Sequence, residues 1–308
     1  MADTTTLQSL VPAVPRWRLR RLPRLPRATW LLAPSIIFLG LFTYWPVLQV
    51  LKAAVTVQGF NTAGHPGLEN FRRLFADPHF TGAAWNNLLY AFGTVLPSVA
   101  LALLSAVGLK RSNRVNALLR TLFVLPMLIP LVAAAALFSF IFLPRYGLID
   151  HQLAWLGLRS VNWLGNPNLA LGSIIAITVW KNAGYYMLFF LAGLQAIPEE
   201  FHEAARLDGA GAWQRFFSIT LPLLQPTTAF VVIIALLQVL TNVDHIILLT
   251  QGGPSDSTNL LLYYIYQQAH ENSDPGLAAA ATVVSVALLL ALSMLSLRRL
   301  EHGIHYEG

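Results

Sequence analysis

The stretch from residue 203 to residue 222 reads EAARLDGAGAWQRFFSITLP and interrupts a chain that is otherwise largely apolar. A good helix sequence covers 203–207, and Asp208-Gly209 predicts its end, because glycine tolerates the positive φ of a tight turn. A second short helix is expected over 213–219, before the next apolar segment begins. The stretch therefore predicts a helix, a turn and a helix that lie across a membrane surface.

The composition favours a membrane protein. Hydrophobic residues make up 56% of the chain and charged residues 11%, and the mean hydropathy is +0.57. Soluble domains carry roughly 25% charged residues, so a soluble fold is disfavoured. The absence of cysteine excludes a disulfide framework and thiolate metal sites. The net charge of +6 does not indicate a nucleic-acid partner, because the basic residues cluster beside apolar segments.

Six apolar segments are each long enough to cross a bilayer, which takes about 20 helical residues. Helices are favoured, because lipid cannot satisfy exposed backbone groups and the segments are too long and continuous for barrel strands. The segments cover 30–51, 88–108, 117–142, 169–196, 220–249 and 277–297. The sequence therefore predicts an all-α integral membrane protein with six transmembrane helices, the first of which is retained after an arginine-rich leader.

The basic residues predict the orientation of these helices. Six crossings place both termini on one side, and that side carries 14 lysines and arginines, whereas the opposite side carries five. The positive-inside rule then predicts cytoplasmic termini. The expected organisation is a basic cytoplasmic leader (1–29), a six-helix transmembrane domain (30–300) with a cytoplasmic loop (199–222), and a cytoplasmic tail (301–308).

The spacing within 203–222 resembles the signature of one transporter family. Glu-Ala-Ala, three residues, Gly209, nine residues and Ile-Thr-Leu-Pro match the loop of binding-protein-dependent ABC importer permeases at every signature position. Further similarity to the carbohydrate branch of that family lies at 67–71, 194–198, 244–254 and 262–266. The resemblance covers nearly the whole chain, although the chain has six predicted spans and lacks the large external insertion of the maltose-type subunit.

The resemblance implies a multi-pass subunit of the bacterial inner membrane with a type I ABC importer fold. In that family the loop inserts into a cleft on an ATP-binding subunit. The ATPase-coupling residues would be Glu203, Ala204, Ala205, Asp208, Gly209 and Pro222. The implied partners are a second homologous permease subunit, two ATP-binding cassette subunits, an external solute-binding protein and the lipid bilayer. The alternative reading of the loop is an amphipathic connector without a partner.

The sequence contains no phosphate-cradling loop. Such a loop ends in Gly-Lys-Ser or Gly-Lys-Thr, whereas Lys52, Lys110 and Lys181 follow Leu, Leu and Trp. We therefore expect no cofactor in this chain, with ATP and Mg bound by partner ATPase subunits. No catalytic residue and no metal ligand is predicted, so the chain is interpreted as a non-catalytic subunit.

Polar residues at membrane depth are candidates for a solute path, because their burial in lipid is costly. Positions 238, 241, 242 and 245 follow helical spacing and predict one polar face lining a hydrated cavity. The candidate path residues are Lys181, Asn182, Tyr185, Gln238, Thr241, Asn242 and Asp244. A polar contact within the bundle, such as a Lys181–Asp244 pair, is an alternative compatible with the path, and His245 is expected to be structural.

Together these features predict the permease subunit of an ATP-driven importer of a sugar or related carbohydrate, working by alternating access. Lys181, which lies near the middle of a predicted span, leaves open an anionic solute such as glycerol-3-phosphate, a sulfonated sugar or a sugar acid. A membrane-embedded enzyme would need paired carboxylates or a metal set facing one cavity. A secondary transporter would show repeated halves and broken helices. The sequence shows no sign of these features.

Overall fold

The computed structural model describes residues 26–59 and 62–301, and these residues are mostly helical. The chain divides into two compact units whose boundary lies between Leu48 and Gln49. The predicted leader (1–29) is described only from Pro26, and the predicted tail (301–308) only at Glu301.

The helices are α1 (Pro26–Leu39), α2 (Trp45–Ala54), α3 (Glu69–Ala76), α4 (Pro78–Gly108), α5 (Arg114–Leu128), α6 (Leu131–Ile141), α7 (Leu148–Trp155), α8 (Pro167–Ala196), α9 (Glu199–Leu207), α10 (Ala212–Arg215), α11 (Leu221–Leu223), α12 (Gln225–Thr241), α13 (Asp244–Leu249), α14 (Leu261–Tyr266) and α15 (Pro275–Glu301). Three π-helical turns cover Gly40–Tyr44, Phe216–Thr220 and Gln267–Glu271. The all-α prediction is wrong in one place, where β1 (Thr56–Gly59) pairs antiparallel with β2 (Thr62–Pro66). The β-branched Thr56 and Val57 favour that strand.

The described residues contain three continuous helices that are long and apolar enough to cross a membrane: Leu32–Ala54, α4 and α8. Two further pairs pass the same test together but are bent, α5 with α6 by 99° and Ala212–Leu223 with α12 by 64°. Within α15, Pro275–Ala291 is a further apolar helical stretch. Length and composition thus support three to five spans in the described part of the chain, and six spans with cytoplasmic termini stay a prediction.

The predicted span over 117–142 is broken, contrary to the expectation of unbroken helices. α5 ends at Leu128, Ile129 is extended (φ −75°, ψ 127°), and α6 begins at Leu131. Pro130 explains the break, because it has no N–H to donate and its ring disfavours a helical conformation at Ile129.

The predicted span over 220–249 is also divided, into α11, α12 and α13. α12 begins beside Pro226, which suits the first turn of a helix because its missing N–H would have no partner there. It ends at Thr241, and Asn242 is extended (φ −104°, ψ 119°) before α13 starts. Two of the predicted spans are therefore assembled from shorter helices.

α4 and α8 form the centre of the larger hydrophobic core. Tyr90, Ile174, Tyr186 and Phe190 are fully buried there. α8 also approaches α5 very closely, because a Cβ on Gly184 would lie 1.7 Å from the Phe123 carbonyl oxygen. Small residues permit such backbone approach in membrane bundles, so Gly184 brings the middle of α8 against α5.

A second core joins α3, α14 and α15 beside the β-hairpin. Asn70 Nδ2 donates to the carbonyls of Ala53, Ala54 and Thr56 at 3.3, 3.1 and 3.1 Å. One buried amide thereby satisfies the backbone where α2 ends and β1 begins.

Asp150, in the first turn of α7, organises the segment 143–165 between α6 and α8. Its carboxylate accepts hydrogen bonds from the Arg145 N–H (2.7 Å), the Val161 N–H (3.3 Å), Trp163 Nε1 (3.1 Å) and the Ser160 hydroxyl. Asp150 is only 3% exposed. The Ser160 hydroxyl and the Arg145 N–H hold the pKa of this carboxyl below its ordinary value. A single side chain thus ties together both ends of the segment.

We expect Asp150→Ala to loosen this segment. The Arg145 and Val161 amides would lose an ionised acceptor, and a hydrogen bond to a charged group contributes about 1.5–3 kcal/mol. Their hydrogen exchange should accelerate roughly tenfold or more, measured by mass spectrometry in nanodiscs. His151→Ala, an exposed neighbour on α7, serves as the control and should change nothing. Equal exchange rates in the two variants would contradict this role of Asp150.

The same contact predicts a pH dependence. Because the folded pKa of Asp150 lies below the unfolded value of about 3.9, its stabilisation is complete above that value and is lost as the pH falls through the folded pKa. Protection of the Val161 amide, corrected for intrinsic exchange, should therefore hold at neutral pH and fall only in strong acid. Asp150→Asn should abolish that dependence.

Candidate functional site: a polar cavity and a helical loop

A cavity of about 220 Å³ lies among α4, α5, α6, α8, the end of α12 and α13. Its wall combines hydroxyl, amide, imidazole and ammonium groups with two apolar side chains. The lining residues are Tyr90, Met127, Leu131, Thr178, Lys181, Asn182, Gln238, Asn242 and His245. A polar cavity of this size has room for ordered water.

Several elements bring these side chains together. On α8, Lys181 and Asn182 lie three and four residues after Thr178, so the three side chains lie on one side of the helix. Tyr90 reaches the cavity from α4. Gln238 lies in the last turn of α12, and Asn242 lies in the extended link that follows this helix. The close packing of α4 and α8 therefore creates the cavity wall.

The prediction of one continuous polar helix face over 238–245 is wrong, because α12 ends at Thr241. Gln238, Asn242 and His245 nevertheless reach the same cavity, from α12, from the extended link and from α13. Thr241 does not line it. That side chain is exposed, and its hydroxyl donates to the Leu237 carbonyl at 2.7 Å.

Two other predicted path residues also lie outside the cavity wall. Asp244 is exposed in the first turn of α13. The Lys181–Asp244 pair does not form. The described residues make three ion pairs, which are Arg73–Asp274, His79–Asp256 and Arg206–Glu199. Tyr185 is half-buried and packs on Tyr186 and Phe189, with ring centroids 5.7 and 5.0 Å apart.

Lys181 instead bonds to the backbone at the broken end of α5. Its Nζ donates to the carbonyls of Pro126 and Met127, both at 3.3 Å, and to the carbonyl of Ile129. An ammonium has three N–H donors and no acceptor. All three donors are therefore directed at main-chain oxygens next to Pro130.

Tyr90, Thr178 and His245 form a hydrogen-bonded chain in the cavity wall. The Tyr90 hydroxyl lies 2.9 Å from Thr178 Oγ1 and 3.0 Å from His245 Nε2. Because Thr178 donates its own hydrogen to the Ile174 carbonyl, Tyr90 donates to Thr178 and accepts from His245 Nε2–H. In neutral imidazole Nδ1 is then an acceptor, and it has no partner within the described part of the chain, although His245 is 1% exposed.

Sequence reasoning missed Tyr90 and Thr178, and interpreted His245 as structural only. Thr178 carries a readable signal, since it lies three and four residues before Lys181 and Asn182 on one helix face. No sequence pattern marks Tyr90, because its place in the cavity wall depends on the packing of α4 against α8. The predicted pair Gln238 and Asn242 reaches one cavity, and its part in a solute path stays a prediction.

The loop 199–222 has the predicted helix, turn and helix. α9 ends in a Schellman motif, in which the Gly209 N–H donates to the Arg206 carbonyl (3.1 Å) and the Ala210 N–H to the Ala205 carbonyl (2.8 Å). Gly209 has φ +78°. The stop predicted at Asp208-Gly209 is therefore confirmed. The second helix starts as α10 and continues as the π-helical turn Phe216–Thr220.

The predicted coupling residues lie on the surface of this loop. Ala205 is half-buried, and the exposed members of the set are Glu203, Ala204, Asp208, Gly209 and Pro222. Two large apolar side chains beside them, Leu207 and Trp213, are 89% and 76% exposed. A loop with small residues and exposed apolar residues has a surface suited to a protein partner.

Comparison with known proteins gives a consistent result. Residues 98–306 match the sequence model of the family described as binding-protein-dependent transport system inner membrane component. The sn-glycerol-3-phosphate transport system permease protein UgpA of Pectobacterium atrosepticum is 32% identical over 288 residues, covering 91% of this chain and 97% of UgpA. The sulfoquinovosyl glycerol transport system permease protein SmoG of Agrobacterium fabrum is 33% identical over 303 residues, covering 97% and 98%.

A solved structure shares the fold. It is the crystal structure of a bacterial alginate ABC transporter in complex with an alginate pentasaccharide-bound periplasmic protein. One of its chains superposes with a TM-score of 0.77 at 27% sequence identity, covering 88% of this chain and 93% of that one.

We expect Tyr90→Phe to destabilise the protein. Loss of the hydroxyl leaves a buried donor on His245 without an acceptor, which costs about 1–3 kcal/mol. The temperature of thermal unfolding in detergent, followed by intrinsic fluorescence, should fall by several degrees. Tyr185→Phe removes a hydroxyl outside the cavity and is the matched control. A variant at position 90 as stable as the control would show that the hydrogen-bonded chain contributes nothing.

Proposed function

Since the chain belongs to the binding-protein-dependent transport system inner membrane component family of ABC transporter permeases, we propose that it lines the translocation path of an ATP-driven importer. The cargo is a sugar or a related carbohydrate. The observation that carries the proposal is the cavity wall, in which hydroxyl and amide groups from several helices converge beside two helix breaks.

The chemistry of the wall suits a polyhydroxy solute. Asn182, Gln238 and Asn242 each carry an amide that can donate and accept hydrogen bonds, as sugar hydroxyls do. His245 Nδ1 adds an acceptor. The relatives UgpA and SmoG are named for the transport of glycerol-based solutes, which supports the same class for this chain.

An anionic polyol or sugar derivative is the second candidate solute. UgpA is named for sn-glycerol-3-phosphate, which carries a phosphate. Lys181 is the only Lys, Arg, Asp or Glu residue among the side chains that line the cavity. The discriminating measurement is direct binding to the cognate external protein, with sn-glycerol-3-phosphate and glycerol as an anionic and an uncharged probe.

Transport would proceed by alternating access driven from the loop 199–222. ATP-dependent closure of two partner ATPase subunits, which bind ATP and Mg, pushes on α9 and α10. The helices then rock about the breaks at Ile129 and Asn242, which border the cavity. No bond in the solute is made or broken, so this chain acts as a non-catalytic membrane subunit.

The remaining partners follow from the same proposal. A second homologous permease subunit closes the path, and an external solute-binding protein delivers the cargo. The binding-protein-dependent family and the alginate complex with its periplasmic protein support that arrangement. The complex resides in the bacterial inner membrane, with the loop 199–222 and both termini in the cytoplasm and a six-helix transmembrane domain over 30–300.

Ala204→Leu tests the coupling surface. The added bulk on an exposed small residue would obstruct close packing against the ATPase, and a loss of about 1.4 kcal/mol at that contact weakens it tenfold. We expect roughly tenfold lower solute-stimulated ATP hydrolysis by the reconstituted complex, and a similar result for Glu203→Ala. Ala269→Leu, exposed on the predicted opposite side, is the matched control. Full activity in Ala204→Leu would argue against this coupling surface.

Asn242→Ala and Gln238→Ala test the solute path. Each removes a hydrogen-bonding group from the cavity, so the maximal uptake rate into proteoliposomes should fall several-fold. The solute concentration for half-maximal uptake should stay constant, because the external binding protein sets it. Thr241→Ala lies outside the cavity and should behave as wild type. Equal rates in all three variants would remove the cavity from the path.

A further inference from the structure

The sharp bend between α5 and α6 leaves main-chain oxygens without their usual helical donors. Pro130 has no N–H for the Pro126 carbonyl, and the extended Ile129 takes the chain out of the helix. The Ile129 N–H donates to the Pro126 carbonyl at 3.3 Å, which uses one of its two lone pairs. Backbone groups at membrane depth must be satisfied within the protein. The bend therefore needs donors from elsewhere.

Lys181 supplies these donors from the middle of α8. Its ammonium contacts the carbonyls of Pro126, Met127 and Ile129, and each of its three N–H groups has an acceptor. The C-terminal end of a helix also carries a partial negative charge, which a cation stabilises. Lys181 thus caps α5 although it belongs to another helix.

The bend shapes the cavity directly. Met127 and Leu131 lie on either side of the break, and both line the cavity that Lys181 adjoins. A shift of α6 against α5 would move these two side chains relative to Asn182 and Gln238. By capping α5, Lys181 therefore controls the position of the cavity wall that Met127 and Leu131 form.

We propose that Lys181 is a positioning residue that holds the α5–α6 bend, and that it is not the receptor for a negative charge on the solute. Its donors are occupied by the backbone, so removal of its charge alters the cavity shape and leaves the choice between charged and uncharged solutes unchanged. This inference deepens the proposed importer function, and its consequence for solute choice rests on that function.

Spin labelling tests the cap without any knowledge of the solute. The chain has no cysteine, so labels can be placed at the exposed Leu118 and Phe140, one on each side of the bend. Lys181→Met should shift or broaden the distance distribution. Lys181→Gln, which keeps two N–H donors without a charge, should stay close to the parent pair. Lys52→Met is the matched control outside the cavity, and an unchanged distribution in Lys181→Met overturns the proposal.

A second pair of variants links Lys181 to the break itself. Pro130→Ala restores an N–H that can donate to the Pro126 carbonyl, which makes the external cap less necessary. The drop in unfolding temperature caused by Lys181→Met should therefore be smaller when Pro130→Ala is present. Additive drops in the double variant would contradict the cap. This comparison remains informative even if Lys181→Met alone folds poorly.

Transport by the reconstituted complex tests the second half of the proposal. The probes are sn-glycerol-3-phosphate and glycerol, and the readout is stimulated ATP hydrolysis. Lys181→Met should lower the maximal rate roughly tenfold, with Lys181→Gln in between, and should keep the ratio between the two probes. A tenfold shift of that ratio toward glycerol overturns the proposal. If neither probe stimulates the wild-type complex, glycerol-based solutes are excluded as the cargo, while the spin-label result still decides on the cap.

Discussion

The requirement that every main-chain N–H and C=O be satisfied without water dominates this structure. In a continuous helix such as α8 the backbone meets the requirement by itself. At Pro130 it cannot, and the three hydrogen bonds from Lys181 meet the requirement instead. The cavity wall lies against that break. The need to satisfy the backbone at the bend therefore also explains why Lys181 stands in the cavity wall.

The segments between helices obey the same rule through different side chains. Asn70 donates to three carbonyls where α2 gives way to the β-hairpin, and Asp150 accepts four hydrogen bonds within 143–165. Each is a short polar side chain that is buried in the first turn of a helix and bonds from there to neighbouring non-helical backbone. Non-helical backbone in this protein is therefore organised around single buried groups, and loss of one such group affects a whole segment.

The predictions that were confirmed rest on local physics. Gly209 adopts a positive φ and closes α9 in a Schellman motif, because only neighbouring backbone groups are involved. The long apolar helices and the polar pair Gln238 and Asn242 were readable from hydrophobicity and helical spacing. The predictions that were wrong concern continuity: the segments 117–142 and 220–249 are broken, although their prolines were visible in the sequence. A hydropathy profile does not show a helix break when the residues on both sides of the break are apolar.

The sequence by itself determined the membrane class, the position of the loop 199–222 and the family signature, because composition, periodicity and motif spacing depend on residues near one another in the chain. Only the tertiary structure decided that Lys181 bonds to the backbone of α5 and not to Asp244, and that Tyr90 joins Thr178 and His245. The physical reason is the packing of α8 against α4 and its close approach to α5, the latter permitted by the small residue Gly184. Such packing brings together groups that are 52 to 155 residues apart in the chain, and no local pattern records it.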